Sequence, residues 1–463
     1  MDCNTLLNFR RGLYACFARG GDALMNVNDA LLSDTSAGSF VQLSLSPFFV
    51  RRWPSLYTAL EDGQIDRDAL RRLFAQKMPA PAPGQRLRIG VDASSIARPL
   101  SKTAADRTYV HQSNLPKGAK PVRAGWQFST LSVLPEKPSS WTYVLDNQRI
   151  PSHQTQGEVA AQQLREIVPL LPQRPLLTAD GYYGSSTFLQ LTAGIACDKL
   201  TRFAKNRVLY RPAPPRTRKQ GRPKLDGAPF KGKDQTTHGP PDAHWQTEED
   251  NGKRVEVDVW NHLHFKDARH IPVSVLRVTR HAAKDTKRDP RVSWFLFEGQ
   301  QMPPLSEVSP AYALRYSLEH AYRVDKQDLL WESVRLRTPK AFENWTDLVA
   351  GVRNQLCLAR SQVKALRQPW ERNDRPASPQ QVRRAMGRIL IELGTPARPS
   401  QPRGKSPGWT QGRPRKPAPT YPVILKPTQK TKNTRHRPKR QAKNAFTNLP
   451  WTDTTVAKWV WVI

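Results

Sequence analysis

The chain has 463 residues, 38% of them hydrophobic, and its 73 Lys and Arg against 39 Asp and Glu give a formal net charge of +34. A field of that size favours a polyanionic partner, most simply nucleic acid, with an anionic membrane surface as the other physical possibility. No run of about 18 apolar residues occurs, so no transmembrane helix is expected, and the four scattered cysteines (Cys3, Cys16, Cys197 and Cys357) argue against a zinc ribbon or a disulfide framework.

The N-terminal sequence lacks the apolar stretch and cleavage site of a signal peptide, and a reducing cytoplasm is the expected location. Residues 1–85 carry apolar positions at helical spacing and are expected to form a helical, DNA-binding region that ends at the Pro-rich stretch 79–84. RLRIGVDASSI (86–96) is an apolar run of strand length, and 125–134 and 141–150 read as two more strands. An amphipathic helix over 157–171 follows, then a strand at 175–184 that runs into a Gly-bounded turn, and a further strand at 199–206. Strands and helices in this order imply an α/β fold with a mixed sheet, its first part at 86–206. Residues 207–299 are expected to be a β-rich insertion. It opens with a Pro-, Gly- and Lys/Arg-rich loop over 207–245, followed by strands at 255–265, 271–280 and 292–299. The core resumes at 300–345. Its most distinct element is a helix over 309–331, with Ser309 as N-cap and Pro310 in the first turn. C-terminal helices follow over 346–396. From 397 to 463 the chain reads as a disordered basic tail, with 14 Lys and Arg and no acidic residue between Ala397 and Asn444.

Asp92 and Asp180 each stand at the polar end of an apolar strand. A charge there is costly unless it is paired or binds a cation, although Asp also simply starts turns. Strand ends of this type are where open α/β sheets bind ligands. In the 309–331 helix, Tyr312, Arg315, Glu319 and Lys326 fall on one face, beside an apolar stripe of Leu314, Leu318 and Ala321. Read alone, this face is also compatible with an ordinary solvated Arg315–Glu319 pair. Three gathered carboxylates suit hard cations such as Mg²⁺, which take carboxylate oxygens and keep several waters. Arg315 and Lys326 would then contact phosphates. The fragments around 220–224 and 412–416 resemble minor-groove Gly-Arg-Pro hooks but lack the full motif, and generic phosphate binding suffices for them. The histidines show no metal-ligand spacing, and His262 and His264 read as structural or exposed.

The helix resembles the Tyr-x2-Arg-x3-Glu-x6-Lys signature of one large group of bacterial insertion-sequence transposases, with every offset met by Tyr312, Arg315, Glu319 and Lys326. Asp92 in RIGVDAS and Asp180 in TADGYYG are similar to that family's first and second catalytic aspartates. The resemblance covers about residues 86–331. It implies a ribonuclease-H-like core in which Asp92, Asp180 and Glu319 are catalytic and bind two Mg²⁺ ions, with Mn²⁺ as a substitute. It further implies a DNA transposase that nicks the element's terminal inverted repeats, forms and opens a hairpin at each end, and joins the 3′-hydroxyl to target DNA. Double-stranded DNA is then the partner, with Tyr312, Arg315, Lys326 and Trp294 as DNA-contacting residues and a homodimer in the DNA complex. Trp294, on the insertion's last strand, takes a place similar to that of a Trp that stacks on a flipped base in related enzymes, with Trp260 as the other choice; read alone, Trp294 is equally a core Trp in a strand. The alternatives are a nuclease with the same core but no strand transfer, and a transposase-derived DNA-binding protein that no longer cuts.

Overall fold

The computed structural model describes residues 3–112, 121–215, 223–248, 254–281, 291–372, 374–401 and 417–426, together with Gly252, Gly408, Gly412 and Pro414. Most of the basic tail lies outside the described residues, as does part of each Gly-Arg-Pro fragment.

Four helices open the chain: α1 (Cys3–Ala15), α2 (Gly21–Ser33), α3 (Pro54–Asp62) and α4 (Arg67–Lys77), with a short ribbon between β1 (Phe17–Arg19) and β2 (Gln64–Ile65). Asp66 caps α4 by accepting from the Ala69 N–H at 2.9 Å. Nine consecutive residues of α2, Leu24–Leu32, are buried, so this helix is covered on every side.

The sheet begins with β3 (Arg88–Ala97) and continues through β4 (Thr108–His111), β5 (Val122–Val133) and β6 (Tyr143–Arg149). Helix α5 (Gln156–Ile167) starts in a capping box between Thr155 and Glu158, and leads to β7 (Leu176–Ala179), α6 (Ser186–Leu191) and β8 (Asp198–Arg202). The insertion adds β9 (Val208–Tyr210), β10 (Pro229–Lys231), β11 (Ala243–Glu248), β12 (Arg254–Phe265), β13 (Ala268–His281) and β14 (Arg291–Glu298). All of these form one sheet in the order β10-β9-β12-β13-β14-β8-β7-β3-β5-β4, with β6 on the other half of β5's outer edge and β11 beside β12. The β3–β7 and β7–β8 pairs are parallel. The fold is therefore mixed α/β around one large mixed sheet, and the insertion extends that sheet through the β14–β8 pairing. The expected loop at 207–245 contains β9, β10 and the first half of β11, strands too short to show a period and set among Pro- and Gly-rich connections.

After the sheet come α7 (Leu305–Ala313), α8 (Tyr316–Arg323), α9 (Pro339–Ala359), α10 (Pro379–Arg383) and α11 (Met386–Leu393). Helix α9 is buried along almost its whole length and shares one core with α1, α2, α3 and β6. The boundary expected at 345/346 thus falls inside α9, and the N-terminal helices belong to the same core rather than to a separate module.

The single helix expected over 309–331 is instead two helices and a π turn. The chain is helical from Leu305, with Pro310 inside α7, so Ser309 is not the N-cap. At Leu314–Arg315 the bonds tighten to three-residue spacing, with Arg315 N–H to Tyr312 O at 3.1 Å and Leu318 N–H to Arg315 O at 2.9 Å. Val324–Asp328 then widens to a π turn, closed by Leu329 N–H to Val324 O at 3.0 Å.

The described tail segment 417–426 pairs with the sheet. Tyr421 N–H donates to Lys102 O at 2.9 Å, Ile424 N–H to Arg107 O at 2.7 Å, and the buried Arg107 guanidinium to Tyr421 O at 2.9 Å. Ile424 makes a parallel bridge with Thr108, so this strap covers the open edge of β4.

Candidate active site

The parallel pairing of β3 with β7 sets Arg88, Ile89 and Gly90 opposite Leu176, Leu177 and Thr178. Asp92 lies two residues past Gly90 on β3 and Asp180 directly follows β7, two residues past Thr178, so both stand toward the same end of neighbouring strands. Past β7 the chain turns at once: Asp180 Oδ1 accepts the Tyr182 N–H at 2.9 Å, and Arg207 holds the turn by donating to Gly181 O at 2.8 Å.

Helix α8 lies along β3 and brings the third carboxylate. Close approach is possible because position 90 is Gly: a Cβ there would sit 3.0 Å from Leu318 Cδ1. Three ties then run down the strand. Arg315 Nη1 is 3.3 Å from Asp92 Oδ2, Tyr322 Oη donates to Asp92 O at 3.0 Å, and Lys326 Nζ donates to Ser95 O at 2.9 Å. Arg315 also reaches Glu319 Oε1 through Nη2 at 3.0 Å, so a single guanidinium bridges Asp92 and Glu319. The Asp92 side chain is 18% exposed and that of Glu319 52%, so the site opens outward from the sheet.

The electrostatics follow from this packing. Burial pushes the Asp92 carboxyl up to about 6; Arg315 and the Ala93 N–H act against that rise, while Asp180 and Glu319 add to it. Asp92 therefore senses both of the other carboxylates. Burial works against the Arg315 charge, but Asp92 above all, with help from Glu319 and Asp180, holds its pKa above the ordinary value. Tyr183 lies in the same turn with its hydroxyl buried and without a partner among the described residues, and burial together with Asp92 and Asp180 raises its pKa well above 10.0. Beside Glu319, a cleft of about 490 Å³ runs between Ser95, His111, Arg323 and Lys326. A larger cavity, about 1000 Å³, lies at the other end of β3, by Arg88 and Trp141, and is lined by none of the three carboxylates.

A sequence family described as DDE superfamily endonuclease matches residues 12–259, more than half of the chain. The chain belongs to this family. No curated protein matches it. Membership makes this an enzyme-family fold acting on DNA, in a superfamily that generally uses divalent metal ions. The match includes Asp92 and Asp180 and ends within β12, so Glu319 stands on the geometry just described.

Among the described residues, no group of three or more His, Cys, Asp or Glu side chains encloses a metal position. The chemistry of the donor set nonetheless fits a hard divalent cation, because Asp92, Asp180 and Glu319 offer only carboxylate oxygens and Asp92 is a buried acid that a cation would ionise. In this endonuclease-family site the local cation is Arg315.

The other expected DNA-contacting residues are placed as follows. Tyr312 is buried against Phe295 at 4.8 Å, with Arg315 5.9 Å from its ring centroid. Lys326 turns back to Ser95 and lies 3.6 Å from Glu332. Trp294 does not offer an open face: it is 4% exposed and stacks on Trp260 at 5.9 Å within a cluster that also holds Phe203 and Phe230. Alternation along β14 is the reason, since Trp294 and Leu296 face this cluster while Phe295 and Phe297 face the one containing Tyr312. The exposed rings that adjoin site residues are Tyr182 (45%) and Tyr316 (52%). Tyr322 was absent from the sequence expectation, although its spacing of three from Glu319 put it within reach of the same strand. Arg207 gave no sequence signal. No described helix is long and apolar enough to cross a membrane.

Proposed function

We propose that this DDE-family protein is a transposase of the insertion-sequence type, built on a ribonuclease-H-like core, that cuts and joins DNA ends at Asp92, Asp180 and Glu319. The observation that carries the reading is the joining of Glu319 to Asp92 through Arg315, at the end of the parallel β3–β7 pair where Asp180 is close enough to raise the Asp92 pKa. The strand order β6-β5-β3-β7-β8, three antiparallel strands followed by two parallel ones, supports the ribonuclease-H-like description.

Asp92, Asp180 and Glu319 would hold divalent cations, with Mg²⁺ the natural choice for an all-carboxylate set. When bound, such ions lower the pKa of the attacking water or hydroxyl and offset charge on the leaving oxygen. The chain's own residues do the rest. Arg315 and Lys326 neutralise phosphates next to the carboxylates, and Tyr322 fixes the β3 backbone from which Asp92 projects. In the first step a water oxygen attacks phosphorus, the bond to the 3′-oxygen breaks, and that oxygen leaves as a hydroxyl. In the second, this 3′-hydroxyl attacks a phosphodiester of the opposite strand, the bond from that phosphorus to the flanking DNA's 3′-oxygen breaks, the flank leaves as a 3′-hydroxyl with the proton given up by the attacking group, and the hairpin closes. Inverted terminal repeats and a homodimer that pairs two ends belong to the same proposal.

The test uses Asp92→Ala, Asp180→Ala and Glu319→Ala on a duplex that carries the element's end. Cleavage is lost in each variant while DNA binding persists, because the basic surface is intact. Cutting by any one of the three at near the wild-type rate in Mg²⁺ would remove that residue from the triad.

A further inference from the structure

We propose that Arg315 is a resident counter-cation that shuttles between the carboxylates and DNA phosphate, and so couples divalent-cation binding to DNA binding. The idea rests on the proposed metal-binding role of Asp92 and Glu319 and goes beyond it. Three observations support it. First, one guanidinium contacts both carboxylates, at 3.3 Å to Asp92 and 3.0 Å to Glu319, which is where a cation shared by them would act. Second, the guanidinium lies by two rings, 5.9 Å from Tyr312 and 5.4 Å from Tyr316, and its Nε is buried without a hydrogen-bond partner among the described residues. It is thus held by the two carboxylates and the ring faces rather than by a full hydrogen-bond set, and can exchange one anion for another. Third, Tyr316 is half exposed, so the outer side of the guanidinium's niche faces the surface on which DNA would lie.

Arg315 and a divalent cation compete for the same oxygens, and like charges at that spacing repel strongly in a partly buried site. Without DNA, Arg315 keeps Asp92 and Glu319 neutralised and weakens cation binding. When a phosphate arrives, the guanidinium gains a bidentate anion outside the carboxylate pair and leaves the pair vacant for the cation. Because such coupling is reciprocal, DNA raises cation affinity by the same factor by which the cation raises DNA affinity.

The experiment is calorimetric titration of Ca²⁺, as a non-turnover probe, into the full-length wild-type protein and Arg315→Gln, Arg315→Lys, Asp92→Asn and Glu319→Gln variants, each with and without duplex DNA. Without DNA, Arg315→Gln binds Ca²⁺ about tenfold more tightly than wild type, whereas Arg315→Lys, which keeps the charge but not the bridge, stays within about threefold of wild type. DNA tightens Ca²⁺ binding in wild type and no longer does so in Arg315→Gln. If Ca²⁺ binding is lost in Asp92→Asn and Glu319→Gln but unchanged in Arg315→Gln, the carboxylate site stands and the counter-cation role is overturned. If neither wild type nor Arg315→Gln binds Ca²⁺, the metal-site reading fails and this one fails with it. Thermal unfolding checks that each variant is folded before titration.

Discussion

Arg353 in α9 donates to Asp325 in the π turn at 2.8 Å, and both side chains are 5% exposed. The pair ties the segment that carries Lys326 to a helix that is buried along almost its whole length. Burial outweighs Arg353 and raises the Asp325 carboxyl to about 6. An unfolded Asp titrates near 3.9. The folded chain thus binds this proton more tightly, so Asp325 contributes stability that is complete below about pH 4 and is lost as pH rises through about 6. Relative to Asp325→Asn, wild type should lose about 2 kcal/mol between pH 4 and pH 7, measured by denaturant unfolding at each pH. A pH-independent difference would show that the proton is not held more tightly in the folded state.

Removing the other partner leaves a buried carboxyl facing nothing. Arg353→Ala should therefore cost about 3–5 kcal/mol, and Lys326 should lose its fixed contact to Ser95. Unfolding midpoints report the first effect. A loss below about 1 kcal/mol would mean that water replaces the guanidinium.

The strap gives a prediction about the tail. A chain ending at Lys426 keeps the hydrogen bonds of Tyr421 and Ile424 to the β4 edge but loses the eight Lys and Arg that follow Lys426. It should fold as stably as the full chain, while its DNA affinity falls and the salt dependence of that affinity becomes shallower. A chain ending at residue 396 additionally uncovers β4, so it should self-associate. Sedimentation of the two truncations separates the effects. Equal self-association in both would show that the strap does not protect the edge, and an unchanged salt slope in both would remove the tail from DNA binding.

The elements best foreshadowed by sequence are those with one physical determinant. The apolar runs around Asp92 and Asp180 gave strands β3 and β7 because a buried parallel strand needs little more than length and β-branched content. The amphipathic period gave α5. What sequence hid depended on long-range partners. Strand β4 is four residues long and exists because β5 on one side and Ile424 on the other pair with it. The break between Tyr312 and Glu319 was hidden because Ala313, Leu314 and Arg315 at it all favour continued helix. The spacing of Tyr312, Arg315 and Glu319 placed all three on one face. Arg315 and Glu319 do meet at 3.0 Å, while Tyr312 turns into the core by Phe295. The packing of Trp294 was hidden for the same reason: period-two alternation tells which residues share its face, but not that both faces of β14 are covered by apolar clusters.

Trp294 supplies the last prediction, because its burial changes what a substitution there reports. Its ring stacks on Trp260 at 5.9 Å, lies 5.2 Å from His238, and has the Arg277 guanidinium 5.9 Å from its centroid. Trp294→Ala should thus cost about 3–5 kcal/mol by opening a cavity in the insertion, and would lower every DNA product by loss of folded protein. The informative variant is Trp294→Phe, which keeps an aromatic in the cluster. If the ring serves packing, this variant nicks and closes hairpins in the wild-type ratio once folded protein is matched. Tyr182 is the comparison: at 45% exposure it sits two residues past Asp180, so Tyr182→Ala carries little packing cost. An extruded base needs an accessible aromatic face near the carboxylates. Tyr182→Ala should then reduce the hairpin-to-nick ratio, resolved on a denaturing gel, while leaving the unfolding midpoint unchanged. Selective loss of the hairpin in Trp294→Phe, with Tyr182→Ala unaffected, would mean that Trp294 leaves its cluster when DNA binds and that its packed position is the DNA-free one.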